Sequence, residues 1–105
     1  MKYTWKDIFK RSKEHPLGGG ARMTHFNFPE FCFSVVGGRE GLYGNFFDTF
    51  EVAIIKEKDR EFITSEVLSD FMDGKYKLAD QILPYLELDE VVNILNYLNE
   101  KYGTQ

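Results

Sequence analysis

Hydrophobic and polar residues alternate most clearly in residues 49–55. The apolar stripe of this segment is made by Phe50, Val52 and Ile54. A period of two is typical of a β-strand with one buried face. The charged run at residues 56–60 predicts a turn, and residues 61–64 are interpreted as the returning strand of a hairpin. We expect this hairpin to be the centre of the domain.

Two further strands are predicted ahead of the hairpin. Residues 23–28 alternate, although Pro29 limits them to a sheet edge or a bend. Residues 31–36 form a stronger pattern, with Phe31, Phe33 and Val35 on one face. A glycine-punctuated loop at residues 37–45 then leads into the hairpin.

A short helix is predicted near residue 5. Thr4 and Asp7 have the spacing of a capping box, and Pro16 is expected to end the helix. The glycine run at residues 18–20 follows as a hinge. The apolar face of this helix is made by Trp5, Ile8 and Phe9.

Helical spacing of apolar residues begins after residue 64. Ser65 predicts the N-cap of one helix, and Gly74 predicts its end. A second helical pattern, starting near residue 78, is expected to stop near Ile82 because Pro84 cannot continue it.

Asp89 is predicted to cap the last helix, and Gly103 is predicted to end it. Helices that follow a set of antiparallel strands indicate an α+β domain of two layers. We expect one domain over residues 1–105, with an N-terminal helix, a small antiparallel sheet of three to four strands, and C-terminal helices packed on one face. The expected core contains Phe33, Val35, Phe50, Val52, Ile54, Phe62, Phe71, Leu95 and Leu98.

Composition narrows the class of protein. Aromatic residues make up 16% of the 105 residues, which supplies a substantial core and disfavours a disordered chain. The single cysteine, Cys32, cannot form an internal disulfide and fits a reducing compartment. The sequence has no apolar run long enough to span a bilayer, and residues 1–30 lack the apolar segment of a signal peptide. A cytoplasmic protein without membrane contact is expected.

Cys32 with His15 or His25 has the residue types of a thiol nucleophile and its base. Cys32 lies between two Phe residues of a predicted strand, however, where a free cysteine usually fills apolar space. One Cys and two His also lack the ligand spacing of a zinc site. We expect no catalytic residue, no metal and no cofactor, so the protein is predicted not to be an enzyme.

The glycine-rich loop at residues 37–45 has two interpretations. Glycines let backbone N–H groups converge on an anion, which would suit a small-ligand or nucleotide-binding and processing domain. The loop lacks the Lys-Ser/Thr pair of a phosphate loop, and a strand rather than a helix is predicted after it. Arg39 and Tyr43, in contrast, are residue types that anchor protein interfaces. This makes the loop a candidate contact site for a protein partner.

A second candidate contact surface is the acidic exterior of the C-terminal helices, around Asp70, Asp73 and Glu90. Residues 1–40 carry a net charge of +3 and residues 41–105 carry −7. An acidic half disfavours direct nucleic-acid binding, because neutralisation of phosphates by Lys and Arg dominates that binding. The acidic residues do not follow the ligand pattern of an EF-hand.

Four segments carry a resemblance to a known group of proteins. They are Leu42-Tyr43-Gly44, Thr49-Phe50-Glu51-Val52-Ala53-Ile54, Glu61-Phe62-Ile63-Thr64 and Leu88-Asp89-Glu90-Val91-Val92. They look like short accessory proteins of phages and prophages, which share a TFEVA strand, a returning strand and a closing helix. The resemblance covers roughly residues 42–100 and implies a protein of mobile-element origin that binds a host protein. The order of elements is also similar to that of some anti-CRISPR inhibitors, which is an analogy of fold. No functional residue carries over.

The function expected from the sequence is a non-enzymatic protein-binding module that modulates or inhibits a host or defence protein. The alternative is the small-ligand or nucleotide domain built on the loop at residues 37–45. The sequence leaves the oligomeric state open between a monomer and a homodimer.

Overall fold

The computed structural model describes residues 2–39 and 42–103. Five strands in that part of the chain form one antiparallel sheet in the spatial order β1-β2-β3-β4-β5. The protein is α+β as predicted, but the sheet has five strands rather than three to four. In chain order the elements are α1 (Trp5–Lys10), β1 (Lys13–Glu14), β2 (Arg22–Asn27), β3 (Phe31–Gly37), β4 (Thr49–Lys56), α2 (Thr64–Met72), β5 (Leu83–Glu87) and α3 (Leu88–Tyr102).

The core lies between one face of the sheet and the three helices. Ile8 of α1, Leu68 of α2 and Leu95 of α3 are fully buried in one cluster with the apolar stripe of β4. Burial of a side chain of this size contributes about 1.5–3 kcal/mol, so the shared face holds the layers together. The members of this cluster that the sequence predicted are Phe33, Val35, Phe50, Val52, Ile54, Leu95 and Leu98.

Two predicted core residues are not among the buried members of the cluster. Phe71 packs against the cluster without being fully buried. Phe62 is 41% exposed, so its assignment to the core was wrong. Phe62 pairs with Ile55 and lies with it on the opposite side of the sheet from the core cluster.

The predicted returning strand at residues 61–64 is reduced to one bridge between Phe62 and Ile55. The side chain of Thr64 ends this pairing: its Oγ1 accepts the N–H of Ile54 at 2.9 Å and donates to the carbonyl of Gln81 at 2.5 Å. Thr64 is fully buried and is also the first residue of α2. A hydroxyl that replaces a ladder hydrogen bond lets the chain leave the sheet and enter a helix without an unpaired donor.

The helix predicted near residue 78 is not present, and β5 follows in its place. Ala79 and Ile82 form a tight bridge, after which the strand pairs with β4 at Phe50 and Val52. Pro84 fits here because β5 is an edge strand. A proline on an edge strand can lack its N–H without the loss of a hydrogen bond between strands. Tyr85 has a φ of 54°, and the register between the strands shifts at this point.

The N-terminal helix is shorter than predicted. The N–H of Thr4 donates to the Asp7 carboxylate at 2.8 Å, as a capping box requires. The helix ends at Lys10 rather than near Pro16, because Lys13 and Glu14 pair with β2 as an edge strand.

Capping residues also define the two ends of α3. Gly103 ends the helix as predicted. The N-cap is Glu87 rather than Asp89, and its N–H donates to the Glu90 carboxylate at 2.9 Å. None of the helices in the described part of the chain is long and apolar enough to cross a bilayer.

The second face of the sheet is outside the core cluster. Its central strand positions are Cys32, Ser34 and Val36 of β3, which lie between β2 and β4. All three are buried, although the buried side chains of the helices belong to the opposite face. We call this second side the open face of the sheet.

Candidate functional site

Within the predicted contact loop at residues 37–45, residues 40 and 41 lie outside the described part of the chain. The N–H of Gly38 donates to the carbonyl of Gly44 at 3.0 Å, so the two ends of the loop are tied together. A Cβ on Gly44 would approach the carbonyl oxygen of Thr49 to 2.7 Å. Glycine at this position is explained by close backbone packing rather than by an anion site.

The structure places Arg39 and Tyr43 in different surroundings. The guanidinium of Arg39 donates to the carbonyl of Leu17, so this side chain joins the loop to the turn between β1 and β2. The ring of Tyr43 makes an edge contact with Tyr85, with centroids 5.7 Å apart. The Tyr85 N–H also donates to the Tyr43 carbonyl at 2.9 Å. Both predicted contact residues therefore have intramolecular roles.

The predicted acidic residues are distributed along α2 and α3. Asp70 lies 3.6 Å from the ammonium of Lys101 and is strongly exposed. Asp73 is the C-cap of α2, in the left-handed conformation with a φ of 43°. Glu90 belongs to the cap of α3. Such roles are typical of solvated helix surfaces, where a single ion pair contributes little to stability.

Glu90 also affects a neighbouring tyrosine. The pKa of Tyr76 is raised, first by burial of the phenol and then by the charge of Glu90 and a hydrogen bond to it. The negative charge of Asp89 acts in the same direction. The start of α3 is therefore a locally acidic surface.

Two exposed aromatic side chains, Trp5 and Phe47, line one groove of about 730 Å³. Its walls are the segment that leads into α1, the turn before β4 and the start of α3. We call it the aromatic groove and define it by Tyr3, Trp5, Phe47, Asp48, Leu88 and Val92.

A turn presents Phe47 to the groove. The side-chain oxygen of Asn45 accepts the backbone N–H groups of Phe47, Asp48 and Thr49 at 2.8, 3.0 and 3.2 Å. Phe46 points the other way and is buried against Phe50, with ring centroids 5.3 Å apart. Because adjacent side chains point apart, burial of Phe46 leaves Phe47 76% exposed.

The opposite wall is fixed by Asn96 of α3. Its Oδ1 accepts the N–H of Tyr3 at 2.8 Å, and its Nδ2 donates to the Tyr3 carbonyl at 2.9 Å. Trp5 then stands half-exposed beside this fixed segment and makes an edge contact with Phe9. The groove is therefore preformed, which lowers the entropy cost of binding a partner.

Charges around the aromatic groove are mostly negative. Asp48, Glu87 and Asp89 line it together with the single cation Lys2 among the described lining residues. An apolar floor with a carboxylate rim favours a ligand that combines a large apolar group with positive charge.

The sequence pattern did not predict this groove. It assigned Trp5 to the packing face of the first helix, yet Ile8 fills the core there and Trp5 is 52% exposed. The one available signal was the pair Phe46-Phe47 directly after Asn45, since two adjacent aromatic side chains cannot both face the same core.

The open face of the sheet carries a second concave site, of about 330 Å³. Its polar centre is a hydrogen bond of 3.2 Å between Ser34 Oγ and His25 Nε2. His15, Glu51 and Arg60 also line it. We call this site the open-face cleft; its apolar lining is made by Met23, Val36, Ala53, Ile55 and Phe62.

Cys32 and the histidines do not form a catalytic pair. Cys32 is buried in β3, and burial raises the pKa of its thiol, which disfavours the nucleophilic thiolate. The Nε2 of His25 contacts Ser34, and the Nδ1 of His15 accepts the N–H of Leu17 at 3.0 Å. Among the residues that the structure describes, no cluster of three or more His, Cys, Asp or Glu could hold a metal ion.

Comparison of the chain with protein-family models, with curated proteins and with solved structures gives no match.

Proposed function

We propose that this protein is a non-enzymatic binding module that takes a segment of a protein partner into its aromatic groove. The observation that carries the proposal is the outward presentation of Phe47, which is 76% exposed and held by the Asn45 turn beside Trp5. Aromatic side chains of this kind contribute most of the binding energy at protein interfaces. A preformed concave surface is the second requirement, and the hydrogen bonds of Asn96 supply it.

The rim defines the chemistry of the partner. The described residues that line the groove include three carboxylates and one ammonium, so the best occupant is an apolar segment flanked by Lys or Arg. The resemblance to accessory proteins of phages makes a cytoplasmic host protein the proposed class of partner, with modulation or inhibition as the result of binding.

The alternative ligand loop at residues 37–45 has less support. The Gly38 N–H is already bonded to the Gly44 carbonyl, and Arg39 is engaged with Leu17. An anion would have to displace these contacts before the loop could bind it.

Site-specific photo-crosslinking tests the proposal. A photoreactive phenylalanine analogue at position 47 should capture one protein in the host cell, and the same analogue at position 17 should not. Leu17 is a matched control because its side chain is 52% exposed and lies outside the groove.

Binding of the purified, captured protein then gives the decisive measurement. Trp5→Ala and Phe47→Ala should each weaken the Kd about 30-fold, which corresponds to the ~2 kcal/mol of a hot spot. Tyr85→Ala removes an exposed aromatic ring outside the groove and should change the Kd little. Equal effects of Phe47→Ala and Tyr85→Ala on the Kd would contradict the assignment of the binding site to the aromatic groove.

A further inference from the structure

The open-face cleft holds polar groups that the proposed protein interface does not use. The Ser34 side chain is 6% exposed in the centre of a five-stranded sheet, where apolar residues normally fill the space. Its hydroxyl bonds to His25 on the neighbouring strand. These two groups lie within a cleft that is concave and open to solvent.

Nearby positive groups act on His25. Burial lowers its pKa most, and the charges of Lys13, Arg60 and His15 lower it further. Arg60 and His15 also line the cleft itself. The potential at this end of the cleft therefore favours a negative group.

Arg60 is held in place by the turn that precedes Phe62. Its N–H donates to the carbonyl of Lys56 at 2.9 Å, and its φ is 61°. Phe62 follows and forms part of the apolar lining beside Ile55. One tight turn thus places a guanidinium and an aromatic ring on the same site.

We infer that the open-face cleft binds a small organic carboxylate with an apolar body. Arg60 binds the carboxylate, and the hydrogen-bonded pair of His25 and Ser34 offers one further donor to it. Val36, Ile55 and Phe62 contact the apolar body. A volume of about 330 Å³ is at the small end of the range for ligand sites, which suits a one- or two-ring acid.

The carboxylate rather than a cation is favoured in spite of Glu51. One Glu51 carboxylate oxygen accepts the N–H of Tyr43 at 3.0 Å, so this charge is directed toward the loop. The register places Glu51 opposite Val36, whereas His25 lies opposite Ser34. Glu51 on β4 and His25 on β2 are therefore on opposite sides of β3, and their partners on β3 are two positions apart.

Four carboxylates of increasing apolar size test the inference: acetate, butyrate, benzoate and 2-naphthoate. Titration followed by amide NMR should show saturable shifts at His25, Ser34 and Ala53, strongest with 2-naphthoate. The neutral isostere 2-naphthamide should bind at least about tenfold more weakly, since it lacks the charge that Arg60 recognises. Absence of saturable binding by all four acids, or equal binding of the amide, would overturn the inference.

Charge variants locate the carboxylate. Arg60→Gln should weaken 2-naphthoate binding about tenfold or more, whereas Lys58→Gln removes a charge from the same turn outside the cleft and should have little effect. Glu51→Gln should leave the affinity unchanged or raise it. A loss in Lys58→Gln as large as in Arg60→Gln, or a loss in Glu51→Gln, would contradict the assigned contacts.

The pH dependence provides an independent readout. The charged groups that affect the pKa of His25 are Lys13, Arg60 and His15, and Glu51 is the carboxylate of the cleft lining. Binding an anion stabilises protonated His25, so the affinity should rise as the pH falls from about 7.5 to 5.5. His25→Gln should remove most of this dependence, and retention of the full dependence in that variant would contradict the role of His25.

Discussion

Ser34 Oγ and His25 Nε2 lie 3.2 Å apart, on neighbouring strands that pair these two residues directly. The pairing places an ionisable ring over a half-buried sheet face, where its charged form loses hydration and meets other positive groups. The pKa of His25 is consequently below its ordinary value of 6.5.

The first prediction concerns stability at acidic pH. With a lowered folded-state pKa, the unfolded chain binds the proton on His25 more tightly than the folded protein does. Stability should therefore fall as the pH decreases below 6.5 towards the folded pKa. Above 6.5, the titration of His25 should not change the stability. Urea midpoints across this range should show the decrease, and His25→Gln should reduce its slope. An unchanged slope in the variant would assign the effect to other groups.

The second prediction compares two threonines. Thr64→Val removes the buried acceptor of the Ile54 N–H and the donor to Gln81, so it should cost about 1–3 kcal/mol of unfolding free energy. Thr49→Val is the matched control, because Thr49 Oγ1 accepts only the exposed N–H of Asn45 at 3.1 Å among the hydrogen bonds described for it. Its cost should stay below about 1 kcal/mol. Equal urea midpoints for the two variants would contradict the role given to Thr64.

The third prediction compares the two sides of the sheet. Val52→Asp places a carboxylate at a fully buried position and should unfold the domain, whose whole margin is of order 5–15 kcal/mol. Phe62→Asp introduces the same group at a position that is 41% exposed, and this variant should still melt cooperatively. Thermal unfolding followed by circular dichroism shows whether each variant is folded. A folded Val52→Asp protein would mean that the faces of β4 are wrongly assigned.

The fourth prediction concerns the buried thiol. Because burial raises the pKa of Cys32 above 9.0, the folded state should hold the proton and lose stability only at pH values above 9.0. The thiol should react slowly with a disulfide reagent in the native protein and rapidly in urea. Cys32→Ser should leave partner binding intact, although the buried hydroxyl can lower stability. Loss of partner binding by a folded Cys32→Ser protein would contradict the purely structural role of Cys32.

The fifth prediction separates the candidate interfaces. If the partner occupies the aromatic groove, the pair Arg39→Ala and Tyr43→Ala should leave its Kd unchanged, as should the pair Asp70→Lys and Asp73→Lys. Asp89→Asn, in contrast, should weaken binding and reduce its dependence on salt, since Asp89 lies on the groove rim. Weakening by either double variant, with Trp5→Ala neutral, would place the interface on the loop or on the helices instead. Glu90→Gln serves as a nearby charge control outside the groove lining.

The elements that the sequence determined are those whose signal is local. The stripe of Phe50, Val52 and Ile54 identified β4 and its buried face, because side chains of a strand alternate whatever the partner strand is. The Thr4–Asp7 cap and the end of α3 at Gly103 were likewise predicted from residues close together in the chain.

Tertiary structure decided the elements and sites that depend on distant residues. Residues 83–87 contain Pro84 and carry no local strand pattern, but pairing with the edge of β4 makes them a strand. Phe47 became exposed because Phe46 had already filled the adjacent core position. The pairing of His25 with Ser34 depends on the register between β2 and β3, which no local pattern specifies.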